Sequence, residues 1–346
     1  MLIKLILFYV ILLGESFKIF SFNYSVLFLF LMLLNRVLFF NFRLIISLSF
    51  LLLCVFFSLG KYDSYHISQD LFIVLIFITL FNYKVKFAFV ERVLILGLYV
   101  LLLKTILLFF FPSDGNWGSG VWLDGNVYDF GIYKRIQLKG ADSILMIFPL
   151  FFRLNKVNLN FFVFFLLVIF SGSRALILYS VLILIFHNVK SISGFFKISI
   201  VLLFLSFVLF IILNFQQRFF EDDGRAEEWR LLETAIVFSE VQNNLIFGNG
   251  LGSGFFMPTS NGSKLEDGIN LYTHNFISWL LLKGGLFLVF LFTATLFINL
   301  KKIKLINFLE LSALLGLNLI NNYFATFTGM LLFTIYLNKI IYDGKN

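Results

Sequence analysis

The stretch FAFVERVLILGLYVLLLKTILLFFF, residues 87–111, decides the fold class of this chain. A helix of about 20 apolar residues crosses the hydrocarbon core of a bilayer. This stretch is longer than that, and its only charged residues are Glu91, Arg92 and Lys104. Over the whole chain, 60% of the residues are hydrophobic and 13% are charged. Because soluble domains carry about 25% charged residues, a single water-soluble core is excluded.

Apolar runs of this kind recur along the chain and predict an all-α, polytopic integral membrane protein of about twelve transmembrane helices. We expect one membrane domain over residues 1–346. The first run begins like a signal peptide but has no small-residue cleavage site after it, so we interpret it as a retained span. The runs lie at about 2–20, 24–40, 43–60, 69–82, 87–111, 140–152, 158–171, 174–189, 194–214, 273–299, 305–319 and 322–342.

The distribution of Lys and Arg sets the predicted orientation. If all twelve runs span and both termini are cytoplasmic, every short cytoplasmic connection carries at least two cations, as the positive-inside rule requires. Merging 158–171 with 174–189 into one helix would move Lys190 and Lys197 outside, so the twelve-span topology is preferred. These connections account for the formal charge of +8 without nucleic-acid binding.

Two long connections lie outside in this topology, at 112–139 and 215–272. Within the second, the segment Ala226–Gln242 has apolar residues every three or four positions, which is typical of an amphipathic helix. Four glycines follow this segment and favour a turn-rich loop, at positions Gly248, Gly250, Gly252 and Gly254. We therefore expect the large external loop to carry a helix at the membrane surface and part of the functional site.

Three polar residues fall on the predicted outer face: Arg174, Arg225 and His274. An arginine there offers a planar fork for phosphate, although it can also simply anchor the end of a span. Arg225 could instead pair with the neighbouring carboxylates of its own loop. Histidine is the side chain best suited to exchange a proton near neutral pH, although an interfacial histidine is often only an amphipathic tip.

Charged residues within the predicted spans add a second group of candidates: Lys104, Lys283 and Glu310. A charge in the bilayer costs at least about 2.5 kcal/mol on insertion scales, so such residues usually face a cavity or a partner. A transporter would also place charge there. These residues therefore do not separate an enzyme from a carrier.

Cations on the outer side break the charge bias near Arg135. This residue and its neighbours could bind a lipid phosphate, or could pair with Asp129 and Asp142. The sequence offers no metal site. The three histidines are far apart, and Cys54 is the only cysteine, so neither a metal-ligand pattern nor a disulfide framework is present.

The order of four short motifs resembles the O-antigen polymerase and O-antigen ligase superfamily of bacterial polysaccharide assembly. The resemblance covers about residues 160–300. The chain departs from the family pattern where Asn243–Ile246 replaces a usual proline and where Leu288 replaces a second glycine. The motifs are SGSR at Ser171–Arg174, Gly224-Arg225 with Trp229, FGNGLG at Phe247–Gly252, and His274-Asn275 with Gly284-Gly285.

This resemblance implies a glycosyltransferase of the bacterial inner membrane that uses an undecaprenyl-pyrophosphate-linked oligosaccharide at the periplasmic face. It implies that Arg174 and Arg225 hold the pyrophosphate and that His274 assists attack by the acceptor hydroxyl. No metal, cofactor or nucleotide sugar is expected, and a chain-length regulator protein and membrane lipid are expected partners. Further substrate-binding residues are expected at Arg135, Trp229, Asn275 and Lys283.

The chemistry agrees with these residue types. Displacing a polyprenyl pyrophosphate requires stabilisation of an anionic leaving group, which arginines supply. A positioned hydroxyl with a base in hydrogen-bond reach completes the requirement.

Several functions remain open from the sequence. We favour a polymerase that joins lipid-linked repeat units of a surface polysaccharide. A ligase that transfers the finished glycan to lipid A-core uses the same donor. A flippase of lipid-linked oligosaccharide would show internal repeats and a polar path through the spans, and we find no repeat. A structural or sensory protein would not need two arginines and a histidine on one face.

Overall fold

The structure, a computed structural model, describes residues 51–80, 87–111, 125–129, 134–138, 140–152, 158–188, 223–257, 269–300 and 303–343. These residues are mostly helical, in agreement with the predicted all-α class. The predicted runs 2–20, 24–40 and 194–214 lie outside the described residues. The helices are α1 (Ser64–Leu80), α2 (Phe87–Phe110), α3 (Ala141–Phe151), α4 (Leu159–Ser171), α5 (Arg174–Asn188), α6 (Asp223–Val241), α7 (Phe276–Leu300), α8 (Leu305–Ile320) and α9 (Phe327–Asp343).

Two of these helices are long and apolar enough to cross a membrane: α2, and the part of α7 from Phe276 to Leu296. Six others are apolar but shorter, at 10–17 residues. Helix α9 packs on α1 and α3, α5 packs on α3 and α8, and α2 packs on α4. The break predicted at Ser171–Arg174 is present, since Gly172 ends α4 with a φ of 61° and α5 begins at Arg174.

Two short antiparallel strand pairs occur in the connections, which the sequence analysis predicted only as loops. Strands β1 (Gly125–Asp129) and β2 (Lys134–Leu138) form a hairpin within 112–139. Strands β3 (Phe255–Phe256) and β4 (Ile269–Asn270) pair within 215–272. Asp129 is one of the two acids that were considered as partners for the outer cations. In the hairpin it lies opposite Lys134.

Helix α6 confirms a helix in the large loop, with ends within three residues of those predicted. Its buried face includes Val241 of the predicted apolar residues but not most of the others. Glu233 and Val237 point inward, 4% and 0% exposed, whereas Leu231 and Phe238 are 72% and 50% exposed. Most of the predicted apolar stripe therefore faces away from the protein interior, because the inner face is used to bury a carboxylate.

Helix α7 is interrupted at Gly285, whose backbone has φ 61° and ψ −161°. The two amides that follow donate to the carbonyl oxygens of Leu245 and Ile246, at 2.8 and 3.1 Å. In return, the Leu282 carbonyl accepts from the amide of Asn249 at 2.8 Å. A break in an apolar helix is tolerated only where other groups bond the freed backbone, and the turn at 245–253, here called the glycine turn, does so.

The glycine turn approaches α7 so closely that Gly248 has no room for a side chain. A Cβ there would lie 2.5 Å from the Leu281 carbonyl oxygen and 2.6 Å from the Gly285 nitrogen. Gly248 also has a φ of 63°, which favours glycine. The two motifs that carried the family resemblance, at 247–252 and 284–285, are thus one structural unit.

A buried ion pair fixes the glycine turn to the helices. The Lys283 ammonium lies 2.7 Å from Asp70 Oδ2 and donates to the Ser253 carbonyl at 2.6 Å. Asp70 Oδ2 also accepts the amide of Gly252 at 2.7 Å. Lys283 is paired with a carboxylate of α1. Because Lys283 is only 1% exposed, it is not accessible to a substrate in this structure.

Glu310, the third intramembrane candidate, also has partners. Its carboxylate accepts from Tyr336 Oη at 2.8 Å and lies 2.8 Å from His187 Nε2. This buried group joins α5, α8 and α9. Lys339 donates to the Leu150 carbonyl; by the predicted threading, both contacts lie at the cytoplasmic end of the helices.

An aromatic cluster packs the opposite end. Phe324 stacks on Phe333 at 4.0 Å between ring centroids, and its ring lies edge-on to Phe276 at 5.2 Å. Phe292 continues the cluster towards Phe77 of α1 at 4.7 Å. The cluster fixes the start of α7 against the short turn between α8 and α9, which is where the polar residues gather.

Candidate functional site

His274 is held by a buried carboxylate on α6. The Glu233 side chain is 5% exposed and accepts two hydrogen bonds at 2.6 Å, one from the His274 backbone amide and one involving His274 Nδ1. The imidazole itself is 51% exposed. Glu233 therefore fixes both the backbone and the ring of an otherwise accessible histidine.

This contact determines which ring nitrogen is available for chemistry. A carboxylate only accepts hydrogen bonds, so Nδ1 must carry the proton in the Nδ1–Glu233 bond. In the neutral ring, Nε2 then bears the lone pair. The arrangement leaves a proton acceptor on the side of the ring that faces away from Glu233.

A second layer supports the histidine. Tyr272 places its ring edge-on to His274 at 5.7 Å and donates its hydroxyl to the Asn322 carbonyl at 2.9 Å. The fully buried Asn322 donates to the Thr273 carbonyl at 3.0 Å. Burial of the hydroxyl end, with the nearby Tyr323 and Glu233, raises the pKa of Tyr272 above its usual value. Tyr272 is therefore a neutral donor.

The turn between α8 and α9, residues 321–323, contacts several of the segments that form the site. Arg230 of α6 donates to Asn321 Oδ1 at 3.3 Å, and Asn321 donates to Tyr323 Oη at 3.2 Å. Tyr323 Oη lies 3.4 Å from Ser173 Oγ. Through this turn, α6 and the Ser171–Arg174 break contact the same surface as the start of α7.

Arg135, one of the predicted substrate-binding residues, lies at the same break. Its Nε donates to the Ser171 carbonyl at 3.0 Å, and its guanidinium lies 5.4 Å from the centre of the Tyr128 ring. A Cβ on Gly172 would lie 2.8 Å from Arg135 Cγ. Arg135 also interacts electrostatically with Asp142, the second acid considered from the sequence. It thus stabilises the end of α4.

The other predicted residues have distinct positions. Arg174 is exposed at the first position of α5, directly after Ser173. Arg225 lies in the first turn of α6, eight residues before Glu233, or about 12 Å along a helix axis. Asn275 caps α7, because its Oδ1 accepts from the amide of Ile277 at 2.8 Å.

Trp229 is half-buried and packs against a small cluster that contains Val237, Phe255 and Leu282. It therefore attaches α6 to α7 and to β3, one turn from the histidine partner. This packing fixes the position of α6 along α7, and with it the position of Glu233.

The sequence analysis missed Glu233, Arg230 and the 321–323 turn. One signal was available for Glu233, since it shares a helical face with Val237 and Val241 at spacings of four residues. A carboxylate on a buried face needs a partner. No comparable signal marks Asn321 or Tyr323, whose partners lie on other segments.

Comparison with models of known protein families and with curated proteins finds no match to this chain.

Proposed function

We propose that this protein is a membrane-embedded glycosyltransferase that polymerises undecaprenyl-pyrophosphate-linked repeat units of a surface polysaccharide, O-antigen or capsule. The reaction would take place at the periplasmic face of the bacterial inner membrane. The observation that carries the proposal is His274, exposed and held by buried Glu233 beside a turn that also contacts Arg230 and Ser173. A base with a fixed tautomer next to guanidinium groups fits transfer from a phosphate-linked donor.

In the proposed reaction, the acceptor hydroxyl gives its proton to His274 Nε2 as its oxygen attacks the anomeric carbon of the donor sugar. The bond between that carbon and the phosphate oxygen breaks, and undecaprenyl pyrophosphate leaves with the bonding electrons. Arg174 and Arg225 would stabilise the charge that develops on the leaving group. Glu233 would stabilise the imidazolium until water removes the proton.

The contacts among the connections support the proposed twelve-span threading. Residues 134–138, 171–174, 272–275 and 321–323 are all predicted to be periplasmic, and they contact one another through Arg135–Ser171, Ser173–Tyr323 and Tyr272–Asn322. Connections from opposite sides of a membrane could not meet in this way.

Sidedness can be measured by cysteine labelling. In a variant with Cys54 replaced by Ser, we expect cysteines at Tyr128 and Ser260 to react with a membrane-impermeant maleimide in intact cells. A cysteine at the exposed Lys304 should react only after the membrane is permeabilised. Equal labelling of Lys304 and Ser260 in intact cells would contradict the proposed topology.

The activity can be tested with the purified protein in nanodiscs and a short undecaprenyl-pyrophosphate-linked oligosaccharide. We expect a ladder of products that differ by one repeat. Replacing Arg174 or Arg225 with Ala should each lower turnover by about 10²- to 10³-fold, the scale for loss of one charge-stabilising group. The matched control is Arg92→Ala, an exposed arginine at the predicted cytoplasmic side.

The same assay separates the alternatives. A ligase would leave the lipid-linked oligosaccharide unextended and transfer it only when lipid A-core is added. A flippase would move the donor between leaflets and form no glycosidic bond. Wild-type protein that produces no glycosidic bond with either acceptor would refute the proposed transferase.

A further inference from the structure

Arg230 of α6 is a half-buried cation that contacts a neutral amide. Its Nη2 donates to the neutral amide oxygen of Asn321 at 3.3 Å. Among the residues that the structure describes, no carboxylate lies within 4.0 Å of the guanidinium; the ion pairs found there join other residues. A partly buried charge is stable when it is paired or hydrogen-bonded, and among the described residues Asn321 is the hydrogen-bond partner of this guanidinium.

One acid on the same face of α6 is already occupied. Glu233 lies one turn after Arg230, close enough for a helical ion pair in principle. Both of its oxygens, however, accept hydrogen bonds from His274. The glutamate is therefore committed to the histidine, and no other carboxylate among the described side chains occupies the guanidinium.

A helical spacing and a chain of contacts place Arg230 near the residues that hold His274. Along α6, Arg230 is three residues from Glu233, or about 4.5 Å of helix axis. Across the site, Arg230 contacts Asn321, and the next residue, Asn322, contacts Thr273. Arg225, which the sequence assigned to the pyrophosphate, is about 12 Å along the axis from Glu233 and so lies farther from the histidine.

We propose that Arg230 contacts the phosphate that is bonded directly to the donor sugar. This inference rests on the proposed transferase function. In a displacement at the anomeric carbon, the attacking hydroxyl lies near His274, and the leaving oxygen lies on the opposite side of the same carbon. Arg230 is closer than Arg225 along α6 to Glu233, which holds the histidine, so Arg230 would meet the sugar-linked phosphate. Asn321 keeps the guanidinium in place, and Arg225, earlier on α6, would contact the lipid-linked phosphate.

The test compares charge with hydrogen bonding at one position. Arg230→Gln keeps a donor for Asn321 and removes the charge, whereas Arg230→Lys keeps the charge and removes the fork. Binding is measured as the rise in thermal unfolding midpoint of the full-length protein in phosphatidylcholine nanodiscs on addition of undecaprenyl pyrophosphate. Turnover is measured with the lipid-linked oligosaccharide donor.

We expect Arg230→Gln to weaken undecaprenyl pyrophosphate binding about tenfold and to lower kcat by about 10²-fold. Arg230→Lys should recover part of both losses. In the absence of ligand, the unfolding midpoint of Arg230→Gln should match that of the wild type, which separates a binding defect from misfolding. Arg92→Gln is the matched control.

If Arg230→Gln binds undecaprenyl pyrophosphate and turns over like the wild type, the assignment is overturned. It is also overturned if Arg230→Gln and Arg230→Lys lose binding and turnover equally and both have a lowered unfolding midpoint without ligand. These results would leave the transferase intact if His274→Ala is inactive and the wild type makes polymer. Conversely, a wild type that makes no polymer refutes the transferase, whereas the binding arm still reports on Arg230.

Discussion

Replacing His274 with alanine is expected to lower polymer formation by about 10²- to 10⁴-fold, the usual contribution of a positioned general base. The exposed Nε2 is the only imidazole nitrogen of His274 left open by the Glu233 contact. The measurement is the initial rate of repeat-unit addition in nanodiscs. His274→Gln should be similarly impaired, because an amide can hydrogen-bond a hydroxyl but cannot take up its proton.

Glu233→Gln is expected to have a smaller and specific effect, because Glu233 sets the tautomer of His274. The amide can donate to Nδ1, which would place the ring proton on Nε2 and remove the base. We expect kcat to fall about 10- to 100-fold, the scale seen for outer partners of metal-bound histidines, while KM changes little. Glu240→Gln, an exposed acid on the same helix, is the matched control. An unchanged kcat in Glu233→Gln would contradict the proposed role of the carboxylate.

The second large effect concerns stability. Lys283→Met removes the partner of Asp70 and leaves a buried carboxylate whose remaining described partner is the Gly252 amide. Breaking one side of a buried pair costs about 3–5 kcal/mol. We expect a clear fall in the thermal unfolding midpoint in detergent, and poor recovery of monodisperse protein in size-exclusion chromatography.

A double variant tests whether the cost comes from the unpaired charge. Asp70→Leu combined with Lys283→Met removes both charges and should be more stable than either single variant. Lys304→Met, at an exposed lysine just before α8, should leave the midpoint unchanged. If Lys283→Met unfolds at the wild-type temperature, the ion pair does not hold the glycine turn in place.

The helical class, the break at Ser171–Arg174 and the helix in the large loop follow from the sequence because each depends on local composition. A long apolar run has few alternatives to a helix, and glycine between two such runs ends the first. The burial of α6 did not follow. The apolar spacing predicted a helix at the membrane surface, but not that its interior side carries Glu233, which pairs there with His274.

The partners of polar residues were the least predictable part. Glu233 and His274 are 41 positions apart, Arg230 and Asn321 are 91 apart, and Ser173 and Tyr323 are 150 apart. Such contacts depend on how segments pack, which hydropathy and charge bias do not report. Lys283 illustrates the difference. The sequence marked it as a costly charge that needs a partner, but could not distinguish a substrate from the distant Asp70.

The interruption of α7 constrains how this protein can be altered or recombined. Before Gly285, the backbone of α7 forms the usual hydrogen bonds within the helix. The two amides after the break donate instead to carbonyl oxygens about 40 positions earlier in the chain. This separation is set by the geometry of the loop and not by the pitch of the helix. A chimera that transplanted α7 to α9 without residues 245–253 would leave the amides of Leu286 and Phe287 without these partners. Residues 245–253 and the helix that contains Gly285 must therefore be exchanged together in any chimera.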